Sequence, residues 1–241
     1  GTVRARLRAV VEAKVSGRLE KLPVVTGQSV KAGDLLAELD AREIQAQLDQ
    51  ALAMREQADA DLQRYSTLLQ QEAVTRAEYD AIQARQRVAQ GAVSEAETML
   101  AHTRVLAPFD GVVTRKYVDV GDLAAPGRPL IEVEDPANLR LEANIPEALI
   151  GHIRQGMTLR VRIATIEQDL EGVVSEIAPS ADPNSRTFLA KIDLPANPDL
   201  RAGLFGRAGI PVGQFSALRI PAAAVVSRGQ LEIVFVVENN Q

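Results

Sequence analysis

The chain has 241 residues, 46% of them hydrophobic, a length above the usual single-domain range that predicts two or more compact units. Its 27 basic and 32 acidic residues are mixed along the chain to a net charge of -5, which leaves no basic stripe for nucleic acid. Cysteine is absent, excluding disulfide frameworks, thiolate metal sites and cysteine nucleophiles, and 3% aromatic residues without tryptophan supply few platforms for stacking bases or sugars.

The chain begins at Gly1 rather than Met and ends at Gln241, directly after the strand-like run 233–237. A leader, a membrane anchor or further strands are therefore expected beyond its ends. No run of about 18 apolar residues reads as a membrane span. At the start, Val3, Ala5, Leu7 and Ala9 alternate with Arg4, Arg6 and Arg8, the period of a strand. Residues 1–9 are expected to pair with strands near Ile220 and 233–237, so that 1–9 and 213–241 together make a further, incomplete β-domain.

The next segment is repeated. Residues 15–40 align with 109–134 at a constant offset of 94, matching Gly17 with Gly111, Gly27 with Gly121 and Gly33 with Gly127. The same register matches Leu19 with Val113, Val24 with Val118, Leu36 with Leu130, Glu38 with Glu132 and Leu39 with Val133. The six glycines read as turn positions, where a positive φ carries no steric penalty. Neither copy covers its own apolar face, so 10–40 and 105–136 are expected to combine into one small β-sandwich.

Between the copies, over 41–104, the period changes. Ile44, Leu48, Ala51, Arg55, Ala58, Leu62, Tyr65 and Leu69 follow alternating steps of four and three, a heptad seam. Tyr79, Ile82, Gln86, Ala89, Val93, Ala96, Leu100 and Thr103 follow the same rule in the opposite order. An antiparallel pair brings all eight positions of each series into step. Capping boxes at Asp40-x-x-Glu43 and Thr75-x-x-Glu78 predict helices over about 41–70 and 76–103. At 1.5 Å per residue each helix is roughly 40 Å long, too long to lie over so small a sandwich, so most of the pair projects.

From 137 to 212 the alternation returns, in Leu139-Arg140-Leu141-Glu142-Ala143, in Leu159-Arg160-Val161-Arg162-Ile163 and around Val173, Val174 and Ile177. A short helix interrupts it, opened by Pro146, with Leu149, Ile150 and Ile153 as its apolar face and Gly156 as its stop. Turns at Asp182-Pro183-Asn184 and Asn197-Pro198-Asp199 complete the pattern of a small antiparallel β-barrel. The fold class is therefore mainly β with an inserted helical coiled-coil hairpin, elongated and multi-domain.

This order of parts resembles the HlyD/RND-type periplasmic adaptors, or membrane fusion proteins, of tripartite efflux pumps. The strings that carry the resemblance are Val15-Ser16-Gly17 with Val30-Lys31-Ala32-Gly33-Asp34-Leu35-Leu36, then Leu106-Ala107-Pro108-Phe109-Asp110-Gly111, and later Leu200-Arg201-Ala202-Gly203-Leu204-Phe205-Gly206. The resemblance implies a lipoyl-like sandwich, a hairpin, a barrel and a partial membrane-proximal domain. It implies a periplasmic location with attachment to the inner membrane, and a hexamer around the pump axis. It also implies an inner-membrane transporter, RND type ahead of ABC or MFS, and a TolC-like outer-membrane channel as partners. In such adaptors the hairpin tip carries an Arg-x3-Leu-x6-Ser pattern for docking to the channel; here Arg64, Leu68 and Thr75 stand at that spacing, with Thr in place of Ser. Each has a structural reading beside it: Thr75 as helix cap, Arg64 as solvated charge, Leu68 as packing next to Leu69.

Other functions find less support. His102 and His152 are the only histidines and fall in different modules, so no metal site is expected from them. Met54, Met99 and Met157 are scattered, and the first two read as hairpin packing rather than copper ligands, which weakens a heavy-metal exporter. Asp182 and Asp193 have no nucleophile beside them, and there is no phosphate-binding Gly-rich loop, so no enzyme and no cofactor is expected. A lipoyl or biotin carrier presents a lysine between its two halves, but 41–104 contains none. A free-standing coiled-coil scaffold explains the hairpin and leaves the repeat unexplained.

Overall fold

Glycines at matched positions make both repeats turn alike, and this is what builds the first module. A computed structural model of the chain describes residues 1–166, 169–213, 220–229 and 231–236. In chain order the elements are β1 (Thr2–Ala5), β2 (Arg8–Glu12), β3 (Gly17–Lys21), β4 (Ser29–Val30) and β5 (Leu35–Leu39), then helices α1 (Arg42–Gln70) and α2 (Arg76–His102). After them come β6 (Arg104–Leu106), β7 (Gly111–Lys116), β8 (Leu123–Ala124) and β9 (Pro129–Glu134). Next are β10 (Leu139–Pro146), the short helix α3 (Glu147–Ile150), β11 (Thr158–Ile163), β12 (Leu170–Ile177), β13 (Thr187–Asp193) and β14 (Gly206–Gly209). A 3-10 turn at Ala222–Ala224 leads to β15 (Val225–Arg228) and β16 (Leu231–Val234).

The repeat offset is a pseudo-twofold relation in space. One sheet runs β2-β9-β7-β4 and the other β6-β5-β3-β8, so each contains two strands from each copy. Bonds between the copies come in matched pairs: Gly27 N donates to Val113 O and Gly121 N to Leu19 O, both at 2.8 Å. Leu19 pairs with Leu39 as Val113 pairs with Val133. The matched apolar residues Leu19, Leu36, Leu39, Val113, Leu130 and Val133 are all fully buried in one core. Because every sheet needs strands from both copies, neither half closes a core alone.

Four of the six repeat glycines have φ between +79° and +97°, namely Gly27, Gly33, Gly121 and Gly127. Gly17 and Gly111 differ from the expected turns, since both open strands. Close approach is their constraint: a Cβ on Gly111 would stand 2.6 Å from the Glu134 carbonyl oxygen, and one on Gly17 would stand 3.4 Å from that of Asp40.

The second module is a six-stranded sheet in the order β1-β10-β13-β12-β11-β14. It closes on itself because the chain entering β14 returns to β1: Val3 N donates to Leu204 O and Gly203 N to Val3 O, both at 2.8 Å, and Thr2 bridges Phe205. Closure leaves no open edge here. Leu141, Val161, Ile163, Val174 and Ile192 fill its core, and Ile153 after α3 packs into the same cluster. The turns are built by side chains, with Asp182 Oδ1 accepting from Asn184 N at 2.8 Å and Asn197 Oδ1 from Asp199 N at 2.8 Å.

The expected pairing of residues 1–9 with the terminal strands is overturned. β1 pairs with β10 in the barrel and β2 with β9 in the sandwich, so this segment belongs to two modules. Alternation specifies that Val3 and Ala5 need an apolar face, and the barrel supplies it: both are buried there. β15 pairs with β16 as a separate hairpin, Ile220 precedes it in irregular chain, and Val237 lies outside the described residues.

Candidate functional site

The helical pair grows out of two neighbouring strands. β5 pairs with β6, Glu38 opposite Arg104, and α1 and α2 occupy the 64 residues, 40–103, between them. Leu39 N donates to Thr103 O at 2.9 Å and Asp40 N to Arg18 O at 2.8 Å, so both legs are tied to the sandwich at the base. α1 has 29 residues and α2 has 27, giving each a length of about 40 Å.

All eight positions of each predicted seam series are buried or half-buried. Leu48, Ala51, Val93 and Ala96 form the tightest cluster, near the base. Toward the middle a polar layer replaces it, where Gln86 Nε2 donates to Asp59 Oδ1 at 2.8 Å across the pair and Arg55 lies 3.8 Å from Asp59. Beyond Ile82 the seam residues are only half-buried, so stability falls from base to tip.

The two helix starts differ from each other. At α2 the capping box forms: Thr75 Oγ1 accepts from Glu78 N at 3.3 Å and Thr75 N donates to Glu78 Oε2 at 2.7 Å. The Thr75 amide first, and its hydroxyl donating to the same Oε2 at 2.8 Å second, hold the Glu78 carboxyl below its ordinary range. At α1 the expected box is absent. Ala41 is the cap, without a side-chain bond, because the Asp40 amide is committed to Arg18 and its carboxylate to the Arg42 amide and guanidinium. That Arg42 contact lowers the Asp40 pKa to about 2.

The tip turn is a Schellman closure: Glu72 N donates to Leu69 O at 3.0 Å and Ala73 N to Leu68 O at 2.9 Å. Glu72 takes the left-handed position at φ 54°, where glycine is usual. Sequence patterns contain no sign of it, since no glycine marks the place. Of the three expected tip residues, Leu68 lies in the last turn of α1, half-buried, and its carbonyl closes the Schellman turn. Thr75 stands at the opposite side of the turn, exposed, with its hydroxyl engaged by Glu78. Arg64 lies one helical turn below Leu68, its guanidinium exposed and 2.9 Å from Asp61. A second tip cation escaped the sequence reading: Arg76 sits over the Tyr79 ring at 5.3 Å and pairs with Asp80 at 3.1 Å. Its i,i+4 spacing to Asp80 was the available signal.

The carboxylates that suggest an acid and a base do not meet. Asp182 organises its own turn and Asp193 accepts from Ser175 Oγ at 3.0 Å at the far end of β13, roughly 20 Å away by strand rise. No helix among the described residues is long and apolar enough to cross a membrane.

Comparison with known proteins agrees with this geometry. The family model for the RND MFP barrel-sandwich hybrid domain matches residues 8–133, and that for the CusB-like beta-barrel domain matches 139–211. The multidrug resistance protein MdtA of Pectobacterium carotovorum is 34% identical over 169 residues, covering 64% of this chain and 41% of that protein. Nodulation protein NolF of Rhizobium meliloti is 28% identical over 235 residues, covering 90% of this chain and 64% of its own. The chain thus spans less than two thirds of the length of these curated relatives. A MacA-MexA chimeric protein, containing the Pseudomonas aeruginosa MexA alpha-hairpin domain, superposes with a TM-score of 0.78 at 28% identity, covering 85% of this chain and 77% of that one. With the sandwich model matching more than half of its residues, an interlocked repeat and a projecting hairpin, this chain belongs to the RND-type membrane fusion protein family.

Proposed function

We propose that this chain is the periplasmic adaptor of a tripartite efflux assembly, a non-enzymatic connector between an inner-membrane transporter and a TolC-like outer-membrane channel. The observation that carries this reading is the rigid hairpin, two helices of 29 and 27 residues rooted in adjacent strands of one sheet and ending in an exposed polar turn. Such an arm has no core beyond its seam, so its stability does not explain its length; reach does. Family membership and the likeness to the multidrug resistance protein MdtA support export as the setting, with the transporter of RND type and the cargo a drug or other small molecule.

In this reading Arg64, Leu68 and Thr75 form the channel-docking end, and Arg76 adds a further exposed cation. The barrel and the β15–β16 hairpin, as the membrane-proximal part, face the transporter. A hexameric ring of adaptors multiplies weak tip contacts into avidity.

Photo-crosslinking in cells tests the orientation. A crosslinker at position 64 or 75 is expected to capture the outer-membrane channel, and one at the exposed barrel residue Val173 is expected to capture the transporter. Capture of the channel from position 173 alone would reverse the assignment, and capture of neither partner from any position would remove it. Mass spectrometry of the Val173 adduct identifies the transporter class.

A further inference from the structure

The sandwich and the barrel are joined by two chain crossings that run side by side. β2 pairs with β9 in one module and β1 with β10 in the other, and between them Arg6 and Leu7 lie opposite residues 135–138. Arg6 N donates to Asn138 O at 2.8 Å and Asp135 N to Leu7 O at 2.9 Å. Asp135, nearly buried, accepts from Ala137 N at 2.9 Å and Asn138 Nδ2 at 2.7 Å. The joint is therefore a hydrogen-bonded double crossing without glycine, with charged side chains on either side of it.

Those charges are unequally shared. On the sandwich side Glu132 and Glu134, two residues apart on one strand, share a single guanidinium, with Arg8 Nε 2.7 Å from Glu132 and 3.3 Å from Glu134. On the barrel side two guanidinium groups share one carboxylate, with Arg4 at 3.4 Å and Arg140 at 2.8 Å from Glu142. A cavity of about 820 Å³ lies between the two sides, lined by Arg4 and Arg201 from the barrel and by Arg8, Arg115, Glu132 and Glu134 from the sandwich. With both carboxylates ionised the sandwich lining is balanced by its own two arginines, while the barrel lining carries excess positive charge.

Two carboxylates on one guanidinium in a partly buried site cannot both be strong acids. Glu132 has the better partners, the short Arg8 bond and a Tyr117 hydroxyl donating at 2.6 Å, and despite its burial these hold its carboxyl below the ordinary range. Glu134 is left with the weaker contact, and burial followed by the Glu132 charge pushes its carboxyl up, against the pull of Arg8 and Arg4. The remaining charged neighbour is Arg115 on β7, which lies over the Tyr117 ring at 5.7 Å.

We propose that Glu134 is a proton-operated latch between sandwich and barrel: ionised, it draws Arg4 and Arg201 across the cavity, and protonated, it lets the joint open. The direction follows from sign alone, because a proton on Glu134 adds positive charge opposite a barrel wall that already carries an excess of it. This inference does not depend on the adaptor reading, since it concerns the two modules of the chain alone.

The chain has no cysteine, so spin labels at Val120→Cys on the sandwich and Val173→Cys on the barrel, both exposed, report the separation without competing sites. The inter-label distance is expected to lengthen on acidification through one transition that lies above the ordinary glutamate carboxyl range, the direction in which burial and the Glu132 charge push Glu134. Glu134→Gln is expected to hold the long distance at every pH, and Arg4→Gln, at an exposed position, to abolish the transition without disturbing the fold. A distance that stays constant with pH in the otherwise unaltered chain overturns the proposal. So does a transition that persists in Glu134→Gln or, should that variant fail to fold, in Arg4→Gln.

Discussion

Thr75 serves two readings at once, and replacing it separates them. Thr75→Ala removes both side-chain contacts with Glu78, the acceptor for its amide at 3.3 Å and the donor to its carboxylate at 2.8 Å. Loss of an N-cap of this kind costs about 0.5–2 kcal/mol. Because the seam beyond Ile82 is only half-buried, that loss is expressed as local opening rather than global unfolding. A cost of about 1 kcal/mol corresponds to roughly fivefold faster amide exchange in the first turn of α2, and about 2 kcal/mol to roughly 30-fold. Thr75→Ser and Thr75→Asn keep a side-chain oxygen for the Glu78 amide and a donor for its carboxylate, so exchange is expected to stay within about twofold of the parent. Measuring exchange at Glu78 beside channel crosslinking from position 64 completes the test. If Ser and Asn retain crosslinking and Ala weakens it, the hydroxyl acts through the helix start. If Asn loses crosslinking while its exchange is unchanged, the hydroxyl itself touches the channel. Parent-like exchange in Thr75→Ala would refute the capping argument outright.

Other outcomes follow from the same geometry. Gly111→Ala is expected to lose about 1–3 kcal/mol in urea denaturation, because its Cβ meets a backbone oxygen at 2.6 Å, whereas Gly17→Ala, at 3.4 Å, is expected to lose less than about 1 kcal/mol; equal losses would show that the repeat partners are equally constrained. Val93→Ala removes two methyl groups from a fully buried seam position and is expected to cost about 1–3 kcal/mol of thermal stability, while Val88→Ala, at an exposed position, stays within about 0.5 kcal/mol. The reverse order would place the seam on the wrong face. Asp40 contributes through Arg42 with a folded pKa lowered to about 2. Its stabilisation is present above the ordinary carboxyl range and is lost as pH falls from about 4 through 2, so the melting-temperature gap between parent and Asp40→Asn is expected to close over that span. A gap that is unchanged at pH 2 would remove the Asp40–Arg42 contact as its source.

Several elements were legible from residue patterns because their causes are local. The heptad steps from Ile44 to Leu69 and from Tyr79 to Thr103 predicted α1, α2 and their facing sides, since every seam residue has its partner positions set by helical geometry. Thr75 and Glu78 likewise sit three residues apart on one turn, and the capping box needs nothing else. Asp40 and Glu43 have the same spacing and form no box, because Arg18, from another strand, takes the Asp40 amide. The offset of 94 revealed two similar halves; the exchange of strands between them appears only in space, in contacts such as Gly27 with Val113 and Gly121 with Leu19.

The amino-acid sequence alone determined where the chain is helical, where it turns, which faces are apolar and that a sandwich is split by a long arm. Tertiary structure alone decided that β1 closes the barrel, that Gly111 lies under a carbonyl, and that Glu132 and Glu134 compete for Arg8 at the joint. The physical reason is that periodicity states what a strand face requires but not which distant strand supplies it, and a shared guanidinium or a crowded Cβ exists only once that choice has been made.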